Sequence, residues 1–266
     1  MSFRYVQDTQ ERGSTSNNET MNNIDAEQMS RFEQTADSYD AKHCLSYVGA
    51  FFNEIEVHIV EEWALGGSGS RGLDIPCGTA RLTISLANCC EGVIAGDISI
   101  NMLRIAQEKT IRAEITNVTF LQANGRKLPF SENTFDTIIC FGFLHIIPND
   151  QKGEFMAEFT RVLKPGGKLI LELRSPFYGL FLALLKYRRR LREIPRRCFL
   201  PGQGRWLFRG YLKGRDVGVG FPFFWVLARI FGKNVMMKIS LTLGKIPVLR
   251  FLAYAIVFEL YNEKQN

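Results

Sequence analysis

Apolar residues in the middle of the chain form short runs separated by longer segments with helical spacing, a pattern typical of alternating strands and helices. Five short runs predict strands at residues 72–75, 93–97, 118–122, 137–141 and 168–173. The segments between them predict helices at residues 82–87, 100–113 and 151–163, and Ser99 is the expected N-cap of the second helix. Repeated strand–helix–strand units predict an α/β fold built on a doubly wound, mostly parallel sheet.

The flanking segments have different patterns. Residues 1–27 are polar, with almost no apolar periodicity, and predict a mobile tail, whereas residues 28–65 have apolar residues at helical spacing and predict one or two helices. The glycine- and serine-rich residues 66–70 predict a turn that precedes the sheet. Two further apolar runs, at 235–243 and 253–260, predict the last two strands and bring the sheet to seven.

Composition narrows the protein class. Apolar residues make up 46% of the 266 residues, which fits a globular protein with a sizeable core. The six cysteines form no CxxC pair, so we expect reduced thiols and neither a disulfide framework nor a metal site. The start of the chain lacks the apolar core of a signal peptide, and no apolar run reaches the roughly 18 residues of a spanning helix. These features predict a cytoplasmic protein, either soluble or peripheral on a membrane.

Charge divides the chain into two parts. Residues 174–266 contain 18 Lys and Arg against 4 Asp and Glu, a balance of +14, while the preceding residues have a balance of −8. A strongly basic segment typically faces an anionic partner, such as a lipid surface, a nucleic acid or an acidic substrate. The alternative is a basic face that only contacts solvent.

The first strand ends in a turn of small residues, Cys77-Gly78-Thr79-Ala80, that opens a helix. Small side chains let the backbone approach a ligand, and a helix N-terminus offers free N–H donors. Asp97 lies 19 residues beyond Gly78 at the end of the second strand, from which a carboxylate can accept hydrogen bonds from both hydroxyls of a ribose. The turn has one glycine instead of the G-x-G-x-x-G pattern, which disfavours a dinucleotide cofactor.

Six ordered elements between residues 32 and 173 resemble the class I S-adenosylmethionine-dependent methyltransferases, particularly the branch that contains ubiquinone and menaquinone biosynthesis enzymes. The elements are Ala36-x-x-Tyr39-Asp40, Leu73-Asp74-x-Pro76-Cys77-Gly78-Thr79-Ala80-Arg81, Gly96-Asp97-Ile98-Ser99-x-x-Met102-Leu103, Leu128-Pro129-Phe130, Phe135-Asp136 and Arg161-Val162-Leu163-Lys164-Pro165-Gly166-Gly167. Each element alone is common, but their shared order is specific. The resemblance also implies an antiparallel last strand.

The resemblance implies that S-adenosyl-L-methionine is the cofactor. It implies that Asp74 and Gly78 lie beside the methionine part, that Asp97 binds the ribose, and that Asn124 lies near the adenine amino group. Asn124 departs from the usual aspartate, although an amide oxygen still accepts a hydrogen bond. Ala80 replaces a frequent glycine, and we expect this change to be tolerated. The expected cofactor-binding residues are Asp74, Cys77, Gly78, Thr79, Arg81, Asp97, Ile98, Met102, Asn124, Gly125 and Phe141.

Catalysis depends on fewer residues. Methyl transfer is an in-line displacement, so orientation and exclusion of water can supply much of the rate. If a base is used, His145 is the candidate, because it follows the fourth strand and ordinarily titrates near neutral pH. Tyr39 matches the tyrosine that the family places over the cofactor. A structural role in packing or hydrogen bonding is the alternative for both residues.

Residues 175–221 are longer than a generic member of this fold needs, and residues 186–215 alone contain 11 basic residues and one acid. Interleaved aromatic residues, including Trp206, Phe208 and Tyr211, suit the headgroup boundary of an anionic bilayer. An active-site lid would have the same composition, and the two roles are compatible.

The sequence therefore predicts a methyltransferase that acts on a small, lipophilic or membrane-presented acceptor. An RNA methyltransferase that uses the basic segment and a cofactor-binding module without turnover are the alternatives. The predicted organisation comprises a tail (1–27), N-terminal helices that cover the cofactor (28–65), the cofactor-binding core (66–174), the basic insertion (175–221) and the last helix and strands (222–266).

Overall fold

The computed structural model describes residues 23–43, 46–64, 66–175, 177, 204–221, 224–247 and 249–263. Its centre is a seven-stranded sheet with the order β3-β2-β1-β4-β5-β7-β6. The strands are β1 (Gly67–Asp74), β2 (Cys90–Asp97), β3 (Val118–Gln122), β4 (Phe135–Cys140), β5 (Leu163–Arg174), β6 (Tyr211–Val219) and β7 (Ala255–Asn262). The first five strands pair in parallel, and β7 is antiparallel to both of its neighbours. The predicted fold class and the antiparallel last strand are confirmed.

Helices lie between and around the strands. They are α1 (Asn23–His43), α2 (Tyr47–Trp63), α3 (Thr83–Cys89), α4 (Ile100–Arg112), α5 (Lys152–Val162), α6 (Gly204–Leu207), α7 (Phe224–Phe231) and α8 (Lys233–Gly244), followed by a 3-10 turn at Leu249–Leu252. Ser99 caps α4 as predicted, because its hydroxyl accepts a hydrogen bond from the Met102 N–H at 3.2 Å.

The sheet buries apolar side chains on both faces, as neighbouring residues of its central strands show. Ile138 of β4 and Leu169 of β5 belong to the cluster around α5, while the next residues, Ile139 and Ile170, belong to the cluster around α2. Successive strand side chains point to opposite faces, so a strand covered by helices on both sides is apolar throughout. This double burial explains why the central strands appear in the sequence as uninterrupted apolar runs.

Two predictions about the first part of the chain are wrong at their boundaries. The predicted tail extends to residue 27, but α1 begins at Asn23, and residues 1–22 lie outside the described residues. The predicted turn at residues 66–70 is mostly the start of β1, where Gly67 pairs with Cys90 before a register shift. Glycine and serine disfavour regular strands, and here they occupy an irregular, largely exposed end of the strand.

The prediction of a strand at residues 235–243 is wrong. This segment lies in α8, where Met236, Ser240 and Gly244 are buried at intervals of four residues. The seventh strand is instead β6, within the segment predicted to be an insertion, while residues 178–203 of that segment lie outside the described residues. The division of the chain into functional segments otherwise stays a prediction.

The sequence of the edge strand β6 does not show a strand pattern, because it is rich in glycine and charged residues. One of these charges, Arg215, forms an ion pair with the buried Glu259 of β7 at 2.9 Å, and Lys168 of β5 lies 3.0 Å from the same carboxylate. Burial alone would raise the pKa of Glu259, but hydrogen bonds from Arg215 and Lys168 lower it to about 2. These charged residues therefore add to the buried Val217 and Val219 in joining the edge strand to the sheet.

Within the described ranges, no helix is long and apolar enough to cross a membrane. The described cysteines Cys77, Cys89, Cys90 and Cys140 are free thiols.

We predict that Gly244→Ala lowers the free energy of unfolding by about 1–3 kcal/mol, the usual cost of overpacking. A Cβ atom at Gly244 would lie 2.1 Å from the Gly218 carbonyl oxygen of β6. Urea unfolding measures the change. The control is Gly92→Ala in β2, where a Cβ atom meets no other atom within 4 Å. Equal stability of the two variants would contradict the packing of α8 against β6.

Candidate active site

The loop after β1 takes a conformation that brings its backbone to the edge of the sheet. Gly78 and Ala80 have positive φ angles of 52° and 62°, and the Cys77 N–H donates to the Gly96 carbonyl of β2 at 2.8 Å. A Cβ atom at Gly78 would meet nothing within 4 Å, so its backbone faces open space. Ala80 adopts a left-handed conformation that costs an L-residue roughly 1–2 kcal/mol. Glycine avoids this cost, and the resembling family frequently has glycine at this position.

Asp97 connects this loop to the end of β2. One carboxylate oxygen accepts the Gly78 N–H at 2.9 Å, and the other accepts the Ser99 N–H at 2.9 Å. The residue is 4% exposed, and burial raises the pKa of its carboxyl to about 6 although both hydrogen bonds act to lower it. The Ile98 amide adds a third hydrogen bond, and a carboxylate has about four lone-pair sites. Asp97 is therefore a fixed acceptor that can take a further donor from a ligand.

Asp74, the last residue of β1, is the second buried carboxyl at this edge. It accepts the Thr83 hydroxyl at 2.6 Å, and burial raises its pKa to about 7. The nearby Asp97 charge also acts to raise this pKa. Burial likewise raises the pKa of the Cys77 thiol, which keeps it protonated and unsuited to be a nucleophile.

A cleft opens at the carboxyl ends of the parallel strands, where ligands bind in open α/β sheets. It encloses about 720 Å³, its open mouth included. Its lining includes Tyr39 and nine of the eleven residues expected from sequence to bind the cofactor: Asp74, Cys77, Gly78, Thr79, Arg81, Asp97, Ile98, Met102 and Phe141. An adjoining pocket is lined by the other two, Asn124 and Gly125. Gln28, Pro76, Ile98 and Phe143 contribute to both.

Asn124 has a partner that the sequence did not reveal. Its amide nitrogen donates to the Asp25 carboxylate at 3.0 Å, and its oxygen accepts the Arg126 N–H at 3.0 Å. Asp25 is 5% exposed and lines the same pocket as Asn124. The resembling family has an aspartate at position 124. Here Asp25 of α1 supplies a carboxylate to the same pocket instead. It was missed because residue 25 lay in the predicted tail.

Acidic residues along α1 hold this helix across the cleft. Asp25 forms a buried ion pair with Arg126 at 3.0 Å, and the Glu33 carboxylate accepts the Ile100 N–H at 2.6 Å at the start of α4. Asp40 accepts the Thr79 hydroxyl at 2.6 Å. Gln28 and Phe32, which lie between these contacts, line the cleft. The helix therefore forms one wall of the cleft and connects to three parts of the core.

His145 does not line either pocket. It follows β4 in a half-buried position between the buried Leu144 and Ile146. The nearby cleft wall is formed by Phe141, Gly142 and Phe143 instead. A role of His145 as a base, like the roles of the cofactor-binding residues, stays a prediction.

Four largely buried charged side chains form a cluster beside the cleft, and the sequence predicted only Arg81 among them. Glu172 of β5 accepts the Gly142 N–H at 2.8 Å and lies 3.3 Å from Arg174. The Arg174 guanidinium lies 3.6 Å from the centre of the Tyr254 ring, a cation–π contact. Glu56 of α2 pairs with Arg81, and burial raises its pKa. Glu56, Glu172 and Arg174 are dispersed in the sequence and belong to none of the predicted motifs.

Comparisons with known proteins agree with this geometry. Residues 73–167 match a family model described as a methyltransferase domain. The chain is 42% identical over 113 residues to demethylmenaquinone methyltransferases of Bacillus cereus (strain AH187) and Bacillus anthracis (strain A0248), which covers 41% of this chain and 46% of each relative. The match thus spans about half the length of these curated relatives.

Solved structures with a similar fold are more distant in sequence. The N-methyltransferase NodS from Bradyrhizobium japonicum WM9, in complex with S-adenosyl-L-homocysteine, has a TM-score of 0.61 at 13% identity, covering 89% of this chain and 98% of NodS. The [4+2]-cyclase SpnF has a TM-score of 0.54 at 16% identity, covering 88% of this chain and 96% of SpnF. At such identities the likeness concerns the fold alone.

We predict that the free energy of unfolding decreases as pH rises from 5 to 8, in part because of Asp74. The pKa of Asp74 is about 7 in the folded protein, whereas its ordinary value is 3.8. Between these two pH values the folded protein keeps a proton that the unfolded chain has released. Stability is therefore lost as pH rises through the folded-state pKa. Urea unfolding should show a weaker decrease in Asp74→Asn, and no change in slope in a control, Asp150→Asn, at an exposed position. An unchanged slope in Asp74→Asn would contradict the assignment.

We predict that Arg126→Met loosens the start of α1, because removal of one partner from a buried ion pair costs about 3–5 kcal/mol. Arg126 also donates to Gln151 at 2.7 Å. Amide hydrogen exchange over residues 25–33 should accelerate at least about tenfold. Arg112→Met is the control, because Arg112 forms a pair with Glu108 on the exposed surface of α4. Equal protection of α1 in both variants would show that the ion pair does not hold the helix.

Proposed function

We propose that this chain, whose central part is a class I S-adenosylmethionine-dependent methyltransferase domain, transfers a methyl group from S-adenosylmethionine to a small lipophilic acceptor. The observation that carries the proposal is the buried Asp97, which the Gly78 and Ser99 amides hold at the cleft. Its carboxylate can still accept from the ribose hydroxyls of a nucleoside. The matched methyltransferase domain includes this residue.

The residues of the cleft fit the other parts of this cofactor. Asp25 and Asn124 offer oxygen atoms in the adjoining pocket, where an adenine amino group can donate. The open space at Gly78 leaves room for the methionine part. Phe32, Tyr39, Phe141 and Phe143 bring aromatic rings to the cleft, and ring faces favour a positive charge.

S-adenosylmethionine supplies an electrophilic methyl group on a sulfonium ion. The protein's contribution is to orient the reactants and to exclude water, for which α1 and the aromatic wall are placed at the cleft. His145 remains the proposed proton acceptor if the acceptor group needs one. Because His145 does not line the cleft, this role requires a water or a movement of the loop after β4.

A quinone-type acceptor is the form of lipophilic substrate that we favour. The curated relatives are demethylmenaquinone methyltransferases, and the shared part of the chain is 42% identical to them. A lipophilic substrate is reached most easily by a protein on the cytoplasmic face of a membrane, and we propose that the basic residues 175–221 contribute to such a contact. An RNA acceptor has less support, because large apolar residues interrupt the basic segment.

We predict that the protein binds S-adenosylmethionine and S-adenosylhomocysteine, and that Asp97→Ala weakens both by about 1.5–3 kcal/mol, or roughly 10- to 150-fold. The reason is that two ribose hydroxyls lose a charged acceptor. Isothermal titration calorimetry measures the affinities, and thermal unfolding verifies that each variant is folded.

Asp97→Asn is the matched variant, because it keeps the shape of the side chain and one accepting oxygen and should weaken binding less than alanine does. No binding by the wild-type protein, or an unchanged affinity in Asp97→Ala, would overturn the proposal. Mass spectrometry of lipid extracts from cells with and without the gene then tests the acceptor. A lipid that lacks one methyl group in the deletion strain is the expected result.

A further inference from the structure

Exposed apolar side chains are concentrated on the helical hairpin formed by α7, α8 and the 3-10 turn that follows. Seven of the eleven large apolar residues that the described chain leaves exposed lie between residues 226 and 252. We call them the α7–α8 surface: Val226, Ile230, Phe231, Val235, Ile239, Ile246 and Leu252. Ile230 is 70% exposed and Phe231 is 60% exposed, which is unusual for side chains of this size.

The spacing shows that these side chains form a face and are not scattered. In α8, Val235, Ile239 and Thr242 are exposed at intervals of three or four residues, opposite the buried Met236, Ser240 and Gly244. Ile246 follows the helix and is also exposed. In α7, Val226 and Ile230 are exposed four residues apart, while Ala228 is buried. Both helices therefore bury one side against the rest of the fold and leave a second apolar side unpartnered within the described chain.

The charges of this hairpin have one sign. Residues 224–252 contain five basic residues, namely Arg229, Lys233, Lys238, Lys245 and Arg250, and no acidic residue. Lys238 and Lys245 are exposed beside the apolar stripe of α8, whereas Lys233 donates to Glu54 of α2 at 2.7 Å. Apolar side chains flanked by cations match the apolar interior and anionic headgroups of a bilayer. A second copy of the chain would bring like charges together, and lysine is depleted at protein interfaces.

The position of the surface fits an acceptor that arrives from a membrane. Val219, the last residue of β6, pairs with Ala255, and Ala255 pairs with Arg174 at the carboxyl end of β5. The hairpin between β6 and β7 therefore leaves the sheet and returns to it at the edge where the cleft opens. A membrane on the α7–α8 surface would lie beside that edge.

We propose that the α7–α8 surface docks on an anionic phospholipid bilayer. This site is distinct from the segment 175–221, and it supplies the apolar component of membrane binding. Only its purpose, the delivery of a lipophilic acceptor, rests on the proposed methyltransferase function. Docking itself is measured without cofactor or substrate.

The experiment is flotation of the full-length protein with vesicles of phosphatidylcholine alone and with phosphatidylglycerol added. Wild-type protein should bind the anionic vesicles, and part of the binding should persist at high salt, because apolar burial is not screened. The double variant Ile230→Ser/Phe231→Ser should bind at least about tenfold more weakly at high salt. The double variant Lys238→Gln/Lys245→Gln should lose binding mainly at low salt.

The matched control is Ile111→Ser, which changes a 48% exposed residue of α4 and should float like the wild type. Thermal unfolding and cofactor calorimetry should be unchanged in the double variants, since their side chains do not line the cleft. Absence of wild-type flotation, RNA binding in its place, or flotation that is insensitive to both double variants would overturn the proposal. Flotation without cofactor binding would retain the docking surface and refute the methyltransferase function.

Discussion

Two hydrogen bonds accepted by Asp97 hold together the segments from which the cleft is built, because one comes from the loop after β1 and the other from the start of α4. Burial still raises the pKa of this carboxyl to about 6, so its charge at neutral pH reduces the stability of the empty protein. A ligand whose hydroxyl groups donate to this carboxylate would stabilise the charged form. The residue that fixes the geometry of the cleft is thus also the one whose electrostatic cost a nucleoside can offset.

The contacts of α1 determine where a negative charge lies in the wall of the cleft. An aspartate at position 124 would place a negative charge in the second pocket from the core itself, but here the charge is on Asp25 and is shared with Arg126. The pocket therefore has its full set of acceptors only when α1 is in place. If this pocket takes the adenine group of the proposed cofactor, its binding and the placement of the helix are expected to be coupled, because each stabilises the arrangement that the other requires.

The parts of the structure that the sequence predicted are those with local signals. The central strands are apolar runs because helices cover both faces of the sheet, and the Ser99 cap and the Gly78 turn each depend on a few neighbouring residues. The failures have non-local causes. β6 is paired through Arg215 and Glu259, which are 44 positions apart, and α8 resembled a strand because its outer face is also apolar. Asp25 acquires its place through Asn124 and Arg126, which are 99 and 101 positions away.

The same distinction between local and non-local signals applies to the residues around the cleft. A [4+2]-cyclase shares this fold, so the sheet alone does not determine the reaction. The matched methyltransferase domain ends at residue 167, whereas Glu172, Arg174 and Glu56 of the buried charge cluster lie outside it. Glu172 reaches the cleft through the Gly142 amide, and Arg174 depends on the ring of Tyr254 just before β7. The residues around Gly78 and Asp97 therefore follow from local motifs, while the charge cluster depends on how α2 and the C-terminal segments pack around the end of β5.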